Sequence, residues 1–161
     1  GIKMENLNEK LINILKAKKL KISTAESCTG GMLSMLITQV AGASDVFEET
    51  IVTYSNAAKM RELGVKKETL DKFGAVSHDT AHEMCTGICA HTGAEVGIGI
   101  TGIAGPGGGT AEKPVGTVYI GVCVKGKVIV EGNCFSGGRE DVRRQSCDAA
   151  MRIAVEMISE L

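Results

Sequence analysis

The sequence predicts a single-domain α/β fold, in which helices flank a sheet of mixed parallel and antiparallel strands. Short runs of β-branched residues alternate with segments whose apolar residues recur at helical spacing, which is typical of strands joined by helices. Late in the chain, two alternating segments flank Lys125-Gly126, which predicts an antiparallel hairpin. The 161 residues are 43% hydrophobic, which is enough for one domain to bury a sizeable core.

Each element is placed by its local signals. Asn6 and Ser77 are suitable helix caps, and glycines follow three of the helical segments. We assign residues 1–161 to one domain, and Gly1-Ile2-Lys3 before Met4 resembles an expression scar. The predicted helices are 7–15, 29–40, 55–63, 67–73, 77–91 and 139–161, and the predicted strands are 21–25, 49–54, 95–101, 115–124 and 127–135.

Composition argues against several classes of function. The net charge of −1 marks no surface for nucleic acid or anionic lipid, so we expect neither nucleic acid nor membrane as a partner. Aromatic residues make up only 3%, whereas 21 glycines favour backbone-lined sites over stacking platforms. No signal peptide or membrane-spanning run is evident, and none of the six cysteines forms a CxxC pair. We therefore expect reduced thiols and a cytoplasmic protein.

The stretch Thr24-Ala25-Glu26-Ser27-Cys28-Thr29-Gly30-Gly31 is the strongest candidate for a site. It lies where a predicted strand passes into a helix, and unpaired amides at such a turn stabilise an anion or a developing oxyanion. The position of Ser27 resembles a nucleophile elbow, although the GxSxG pattern is absent. The residues alone leave open the alternative that Ser27 is only a helix N-cap.

A serine nucleophile needs a base, and Lys59 is the best candidate. It follows Ser55 by one helical turn at the end of the next strand, and burial or a neighbouring cation would have to lower its pKa. The alternatives are a solvated lysine or a pairing with Ser55. His78, His82 and His91 share one helix, but the HExxH pattern is missing and no third ligand is evident. We expect no metal and no cofactor.

Two further features could bind an anion. The glycine-rich segment 102–109 follows a predicted strand and could approach a phosphate or a ribose, although it is neither GxGxxG nor a Walker A loop. Arg139 and Arg143 are four apart at the start of the last helix, so they could bind phosphate from one face. The alternative for both arginines is a solvated helix surface.

Several motifs that occur together and in order resemble those of the CinA carboxy-terminal domain family, the competence/damage-inducible proteins. The resemblance covers nearly the whole chain. It is carried by Ala25-Glu26-Ser27-Cys28-Thr29-Gly30-Gly31, Val52-Thr53-Tyr54-Ser55-Asn56 with Lys59, Gly74-Ala75-Val76-Ser77, Thr101-Gly102-Ile103-Ala104-Gly105-Pro106, Lys113-Pro114-Val115-Gly116-Thr117-Val118, Cys134-Phe135-Ser136-Gly137 and the segment 139–145.

The resemblance implies an enzyme, because the stand-alone form of the family is known as nicotinamide-nucleotide amidase. Such an enzyme hydrolyses nicotinamide mononucleotide to nicotinate mononucleotide and ammonia, with the pyridine nucleotide as its small-molecule partner. By motif position, Ser27 would be the nucleophile and Lys59 the general base, with Tyr54 assisting. Activities of the larger amino-terminal domain of fused members are not carried over.

The remaining site residues follow from the same comparison. We infer that the amides around Thr29, Gly30 and Gly31 form the oxyanion hole. The resemblance implies that the substrate is held by Asn56, Thr101, Gly102, Gly105 and one arginine of the segment that contains Arg139 and Arg143.

Three questions stay open at this point. Cys28 could be the nucleophile, because a thiol at a helix N-terminus is acidified. The chain could also be a nucleotide-binding regulatory module, linked to competence or the DNA-damage response, that has no activity. Finally, the hairpin edge and the apolar helix faces could pair with a second chain, and we expect a homo-oligomer.

Overall fold

The computed structural model describes residues 6–161, so the amino-terminal segment discussed above lies outside the described residues. The helices are α1 (Leu7–Lys18), α2 (Met32–Thr38), α3 (Asn56–Leu63), α4 (Lys67–Phe73), α5 (His78–Thr92) and α6 (Arg139–Ser159). The strands are β1 (Ile22–Glu26), β2 (Phe47–Val52), β3 (Val96–Gly102), β4 (Thr117–Val124) and β5 (Lys127–Cys134). None of the described helices is long and apolar enough to cross a membrane.

The strands form one five-stranded sheet in the order β2-β1-β3-β4-β5. β1 is parallel to both β2 and β3, whereas β4 is antiparallel to β3 and β5. The prediction of a mixed α/β sheet flanked by helices is therefore confirmed. Helices α1, α2 and α6 cover one face over the larger apolar core, and α3, α4 and α5 cover the other.

The connectivity brings three strand ends together at one edge of the sheet. The parallel strands β2, β1 and β3 all point their carboxyl ends toward this edge, with Glu26 of β1 in register with Val52 and Ile100. The chain leaves β1 for β2 on one side and returns to β3 on the other, so β1 and β3 border a topological switch point. Ligands bind at such points in open α/β sheets, because the loops diverge there and leave a crevice.

Helix α5 packs directly on the backbone of the sheet through a seam of glycines. A Cβ built on Gly97 of β3 would lie 2.6 Å from the carbonyl oxygen of Cys85, and one on Gly121 of β4 would lie 2.5 Å from that of Ala81. Gly99 stands between them and is equally crowded. At these three positions the strands have no side chain because the helix occupies the space.

The glycine seam predicts a specific loss of stability in the Gly99→Ala variant. The new methyl group would lie 2.7 Å from the amide nitrogen of Cys85 and from Cβ of Met84, so α5 must shift away from the sheet. We expect the free energy of unfolding to fall by about 1–3 kcal/mol in urea titrations. Gly107→Ala is the matched control, because its Cβ meets nothing within 4 Å and should leave stability unchanged. Equal stability of the two variants would contradict the close packing.

Candidate active site

Ser27 and Lys59 lie in direct contact at the carboxyl ends of β1 and β2. Ser27 follows the last residue of β1, and its Oγ accepts a hydrogen bond of 3.1 Å from Nζ of Lys59. The same ammonium or amine group donates to the carbonyl oxygen of Thr53 at 2.8 Å. Ser27 is 8% exposed and Lys59 1% exposed, so the pair is largely removed from bulk water.

Burial changes the protonation of Lys59. Desolvation lowers its pKa to about 8, and the opposing effect of Cys28 is smaller. No carboxylate forms an ion pair with this amine within residues 6–161, so the charged form gains little compensation. A lysine with this pKa is neutral in a useful fraction of molecules near neutral pH, and it can then accept a proton.

Helix α3 fixes the position of Lys59. Ser55 is the N-cap of this helix, and its Oγ accepts a hydrogen bond of 3.1 Å from the amide of Ala58. The alternative pairing of Lys59 with the hydroxyl of Ser55 is therefore wrong, as is a solvated position for the lysine. Because Lys59 lies one helical turn after the cap, its side chain points back toward the strand ends and reaches Ser27.

Cys28 is a buried thiol and not an acidified one. Its side chain is 6% exposed, and burial raises its pKa to about 11, against smaller lowering effects from Arg143 and Lys59. The expectation of acidification at a helix N-terminus fails because α2 begins only at Met32, with Gly31 as its N-cap. For the same reason Ser27 is not the N-cap of that helix. These positions favour the hydroxyl of Ser27 over the thiol of Cys28 as the nucleophile.

The buried carboxylate of Glu26 organises the turn that follows Ser27. Its Oε1 accepts hydrogen bonds from the hydroxyl of Thr29 at 2.7 Å, the amide of Gly31 at 3.1 Å and the amide of Leu33 at 3.0 Å. Its Oε2 accepts from the amide of Ser34 at 3.0 Å, and the side chain has no exposed surface. The carboxylate thus satisfies the unpaired amides at the start of α2 and balances the helix dipole.

These and a neighbouring hydrogen bond occupy two of the amides that were predicted to form the oxyanion hole. The amide of Gly31 is occupied by Glu26, and the amide of Gly30 donates to the carbonyl oxygen of Ser27 at 3.0 Å. Neither glycine lines the cavity beside Ser27, nor does Thr29. Both glycines instead have positive φ values, 57° for Gly30 and 100° for Gly31, and so make the tight turn between β1 and α2. No role for Glu26 was predicted from the sequence, because Glu26 ends β1 and reaches the amides of α2 only through the turn between them.

The two arginines of α6 have different positions. Arg143 donates through Nε to the carbonyl oxygen of Cys28 at 3.1 Å and through Nη2 to that of Thr29 at 3.0 Å. It therefore holds the turn after Ser27 and lies outside the cavity lining. Arg139 lines the cavity, where its Nη1 donates to the carbonyl oxygen of Gly105 at 2.7 Å. Of the two arginines, only Arg139 is placed to meet a ligand in the cavity.

A cavity of about 290 Å³ opens beside Ser27 and Lys59 at the switch point. Among the predicted binding residues, Asn56, Thr101, Gly102 and Gly105 line it. The hydroxyl of Thr101 donates to the carbonyl oxygen of Ala75 at 2.8 Å, which ties the end of β3 to the loop before α5. Residues of the glycine-rich segment 102–109 also line the cavity. A ligand there would contact both this backbone and the Ser27–Lys59 pair.

Tyr54 lies at the rim of the same cavity. Its side chain is exposed, and its hydroxyl accepts a hydrogen bond of 3.2 Å from Nη2 of Arg139. Within residues 6–161 this hydroxyl contacts neither Ser27 nor Lys59, although the prediction grouped the three residues as catalytic. The three histidines lie on α5 with exposed side chains, and no described group of three or more potential ligands is arranged to hold a metal ion.

The role of Glu26 can be tested with Glu26→Gln. The amide group of glutamine replaces one acceptor oxygen by a donor, so at least one buried amide or hydroxyl of the turn loses its partner. We expect the free energy of unfolding to fall by about 1–3 kcal/mol in urea titrations. Glu48→Gln, an exposed glutamate of β2, is the control and should stay within about 0.5 kcal/mol of the wild type. A Glu26→Gln variant as stable as the control would contradict this role.

Comparisons with known proteins bear on the family and the fold. The family model for the CinA C-terminal domain matches residues 4–158. A CinA-like protein from Kosmotoga olearia is 52% identical over 151 residues, which are 94% of this chain but only 37% of that protein. The chain thus spans little more than a third of the length of this curated relative.

Solved structures of similar length match over their whole fold. The competence/damage inducible protein CihA from Agrobacterium tumefaciens superposes with a TM-score of 0.91 at 38% identity, covering 98% of each chain. A competence-damaged protein (CinA) superfamily protein from Klebsiella pneumoniae gives a TM-score of 0.92 at 34% identity, covering 98% of this chain and 100% of that one. This chain belongs to the CinA C-terminal domain family.

Proposed function

We propose that the protein is an amidohydrolase that converts nicotinamide mononucleotide and water to nicotinate mononucleotide and ammonia. The observation that carries the proposal is the contact of 3.1 Å between Oγ of Ser27 and Nζ of Lys59. A buried lysine with a lowered pKa beside a serine hydroxyl is the arrangement that a Ser/Lys acyl-transfer mechanism needs. The family resemblance supplies the substrate class.

The reaction proceeds in two stages. In the first, neutral Lys59 takes the proton of Ser27 while the serine oxygen attacks the carboxamide carbon, and Lys59 then protonates the departing ammonia. In the second, a water molecule gives one proton to Lys59 while its oxygen attacks the acyl-enzyme ester. Lys59 passes this proton to the departing oxygen of Ser27, and the carboxylic acid product gives its own proton to solvent. The carbonyl oxygen of Thr53 keeps the amine aligned through both stages.

The amide of Cys28 is the best placed donor for the oxyanion. Cys28 directly follows the nucleophile and lines the cavity, and in nucleophile-elbow enzymes the residue at this position supplies an oxyanion donor. The carbonyl oxygen of Ser27, in the same peptide unit, accepts from the amide of Gly30, and Arg143 holds the carbonyl oxygen of Cys28, so this amide is fixed before substrate arrives. Donors that need no reorganisation stabilise a transition state most effectively.

Recognition of the nucleotide phosphate falls to Arg139 and the glycine-rich wall. Arg139 has an exposed side chain at the cavity rim, where it is held by Gly105 and Tyr54. A guanidinium held in this way can offer its remaining N–H groups to phosphate oxygens at little entropic cost. Tyr54 acts in this proposal through Arg139 and through contact with the substrate.

Replacement of the two candidate nucleophiles separates the hydroxyl from the thiol. We expect Ser27→Ala to lower the rate of ammonia release from nicotinamide mononucleotide by at least about 10³-fold, because the attacking atom is lost. Cys28→Ala should stay within about tenfold of the wild type, because only a buried thiol is removed. Ammonia release is measured by a coupled assay, with thermal melts to show that both variants are folded.

Two outcomes would contradict the proposal. Loss of turnover in Cys28→Ala with turnover kept in Ser27→Ala would assign the nucleophile to the thiol. Binding of nicotinamide mononucleotide by the wild type without any ammonia release would favour the regulatory module.

The lowered pKa of Lys59 predicts the pH dependence of the rate. The base acts only when neutral, so kcat/KM should rise with pH about tenfold per unit below pH 7 and level off above a pKa of about 8. Lys67→Gln, at an exposed lysine of α4, should leave this profile unchanged. A profile that is flat from about pH 6 to 9 would contradict a lysine base with this pKa.

A further inference from the structure

The hydroxyl of Thr53 is buried beside the Ser27–Lys59 pair and has no partner. Thr53 follows the last residue of β2, and its side chain has no exposed surface. Its amide donates to the carbonyl oxygen of Glu26 at 2.9 Å, which fixes the residue at the end of the sheet. Among residues 6–161, Oγ1 of Thr53 is the one buried side-chain oxygen or nitrogen without a hydrogen bond. Such a group costs folding free energy, and a valine in its place would avoid that cost.

The register of the sheet places this hydroxyl in one row with two others. Ser27, Thr53 and Thr101 each come directly after the last positions that β1, β2 and β3 pair in register, so they are neighbours across the three strands. Neighbours in register have their side chains on the same face of a sheet. Ala25 and Ile51, two positions earlier, pack in the smaller core beneath α3, α4 and α5. The three hydroxyls therefore face this layer of helices.

The other two hydroxyls of the row have partners. Thr101 donates to the carbonyl oxygen of Ala75 at 2.8 Å, and Oγ of Ser27 accepts from Nζ of Lys59 at 3.1 Å. Nζ has a second acceptor in the carbonyl oxygen of Thr53 at 2.8 Å. Because Oγ1 belongs to the same residue as this carbonyl group, covalent geometry keeps the two oxygens within about 5 Å of each other. The unpartnered hydroxyl thus lies next to the amine of the base.

Protonation of Lys59 creates a need for a third acceptor. An ammonium group has three N–H donors, whereas Nζ has two acceptors among the described residues. Of the other titratable groups that line the cavity, the Cys28 thiol stays protonated because burial raises its pKa to about 11, and the Tyr54 hydroxyl is bonded to Arg139. The remaining buried side-chain acceptor in the described chain is Oγ1 of Thr53.

We propose that Thr53 is a positioning residue, whose hydroxyl accepts a hydrogen bond from the third N–H of Lys59 when that side chain is protonated. The catalytic part of this role rests on the proposed function. In the first stage the O–H bond of Ser27 breaks and a new N–H bond forms at Lys59, from which the proton passes to the leaving ammonia. With two of its N–H groups bonded to Thr53, the ammonium group directs the third toward Ser27 and the departing nitrogen.

A titration of Lys59 tests the hydrogen bond without any turnover. The pKa of Lys59 is measured by NMR on protein isotopically labelled at lysine Cε, with Lys59→Gln identifying the signal. A hydrogen bond to the charged form of a lysine raises its pKa, so we expect Thr53→Val to lower the pKa of Lys59 by about one pH unit. Thr53→Ser keeps the hydroxyl and should stay within about 0.3 pH units of the wild type. An unchanged or raised pKa in Thr53→Val would overturn the proposal.

Stability separates this role from a purely structural one. Thr53→Val removes a hydroxyl that has no partner in the folded protein, so its urea midpoint should equal or exceed that of the wild type. Thr69→Val is the matched control, because Oγ1 of Thr69 donates to Glu83 at 2.6 Å and lies outside the cavity lining. The control should lower the urea midpoint and leave the pKa of Lys59 unchanged. A Thr53→Val variant less stable than Thr69→Val would make the hydroxyl structural and overturn the proposal.

Turnover of nicotinamide mononucleotide gives a separate readout. Thr53→Val should lower kcat at least about tenfold, and Thr53→Ser should stay within about threefold of the wild type. In Thr53→Val, kcat/KM should level off about one pH unit lower than in the wild type, because the base is neutral at lower pH. Wild-type kcat in this variant would overturn the positioning role. A wild type that releases no ammonia would contradict the proposed function, whereas the titration would still decide the hydrogen bond.

Discussion

The turn after Ser27 depends on one buried carboxylate. Glu26 accepts hydrogen bonds from the hydroxyl of Thr29 and from three amides at the beginning of α2. Among residues 6–161, no cation forms an ion pair with it. The helix start supplies the positive potential that makes a buried carboxylate tolerable, and the carboxylate in turn fixes the path of the chain. The strand end, the nucleophile and the start of α2 are thereby held as one unit.

At the Ser27–Lys59 pair, burial has the opposite role, because there it disfavours the charged form of the side chain. Among the described residues Lys59 has no charge partner, and desolvation lowers its pKa to about 8. A lysine in this place disfavours folding when it is protonated, because the unfolded chain solvates the charge. This unfavourable burial lies next to a turn that Glu26 and Arg143 hold through hydrogen bonds. These bonds keep Ser27 in position.

Much of this arrangement could be predicted from the sequence. Helical and alternating periods located every helix and strand within a few residues, and the ends of parallel strands must meet at one edge. From the sequence, Lys59 was paired with Ser27 because a serine nucleophile needs a base and both residues follow predicted strands, and the family resemblance implied the same pair. The fold class follows from the same periods, because a direct hairpin after a parallel unit can only produce a mixed sheet.

The details of the turn could not be predicted in the same way. Its amides were assigned to an oxyanion, whereas Glu26 and Ser27 use those of Gly31 and Gly30. Sequence spacing also treated Arg139 and Arg143 alike, because residues four apart share a helix face. The pitch and placement of α6 separate them: one guanidinium reaches the cavity rim and the other the carbonyls behind Ser27. Such differences depend on tertiary packing, which local patterns do not encode.

The contact between Arg139 and the rim has a consequence for how the chain matures during synthesis. Ser27 and Lys59 precede α6 in the chain, whereas Arg139, which joins Tyr54 to Gly105, is the first residue of that helix. The apolar face of α6 also covers part of the larger core, so this part of the sheet stays uncovered until α6 is made. A chain that ends before α6 therefore lacks both the cover of this core and the arginine that completes the cavity rim.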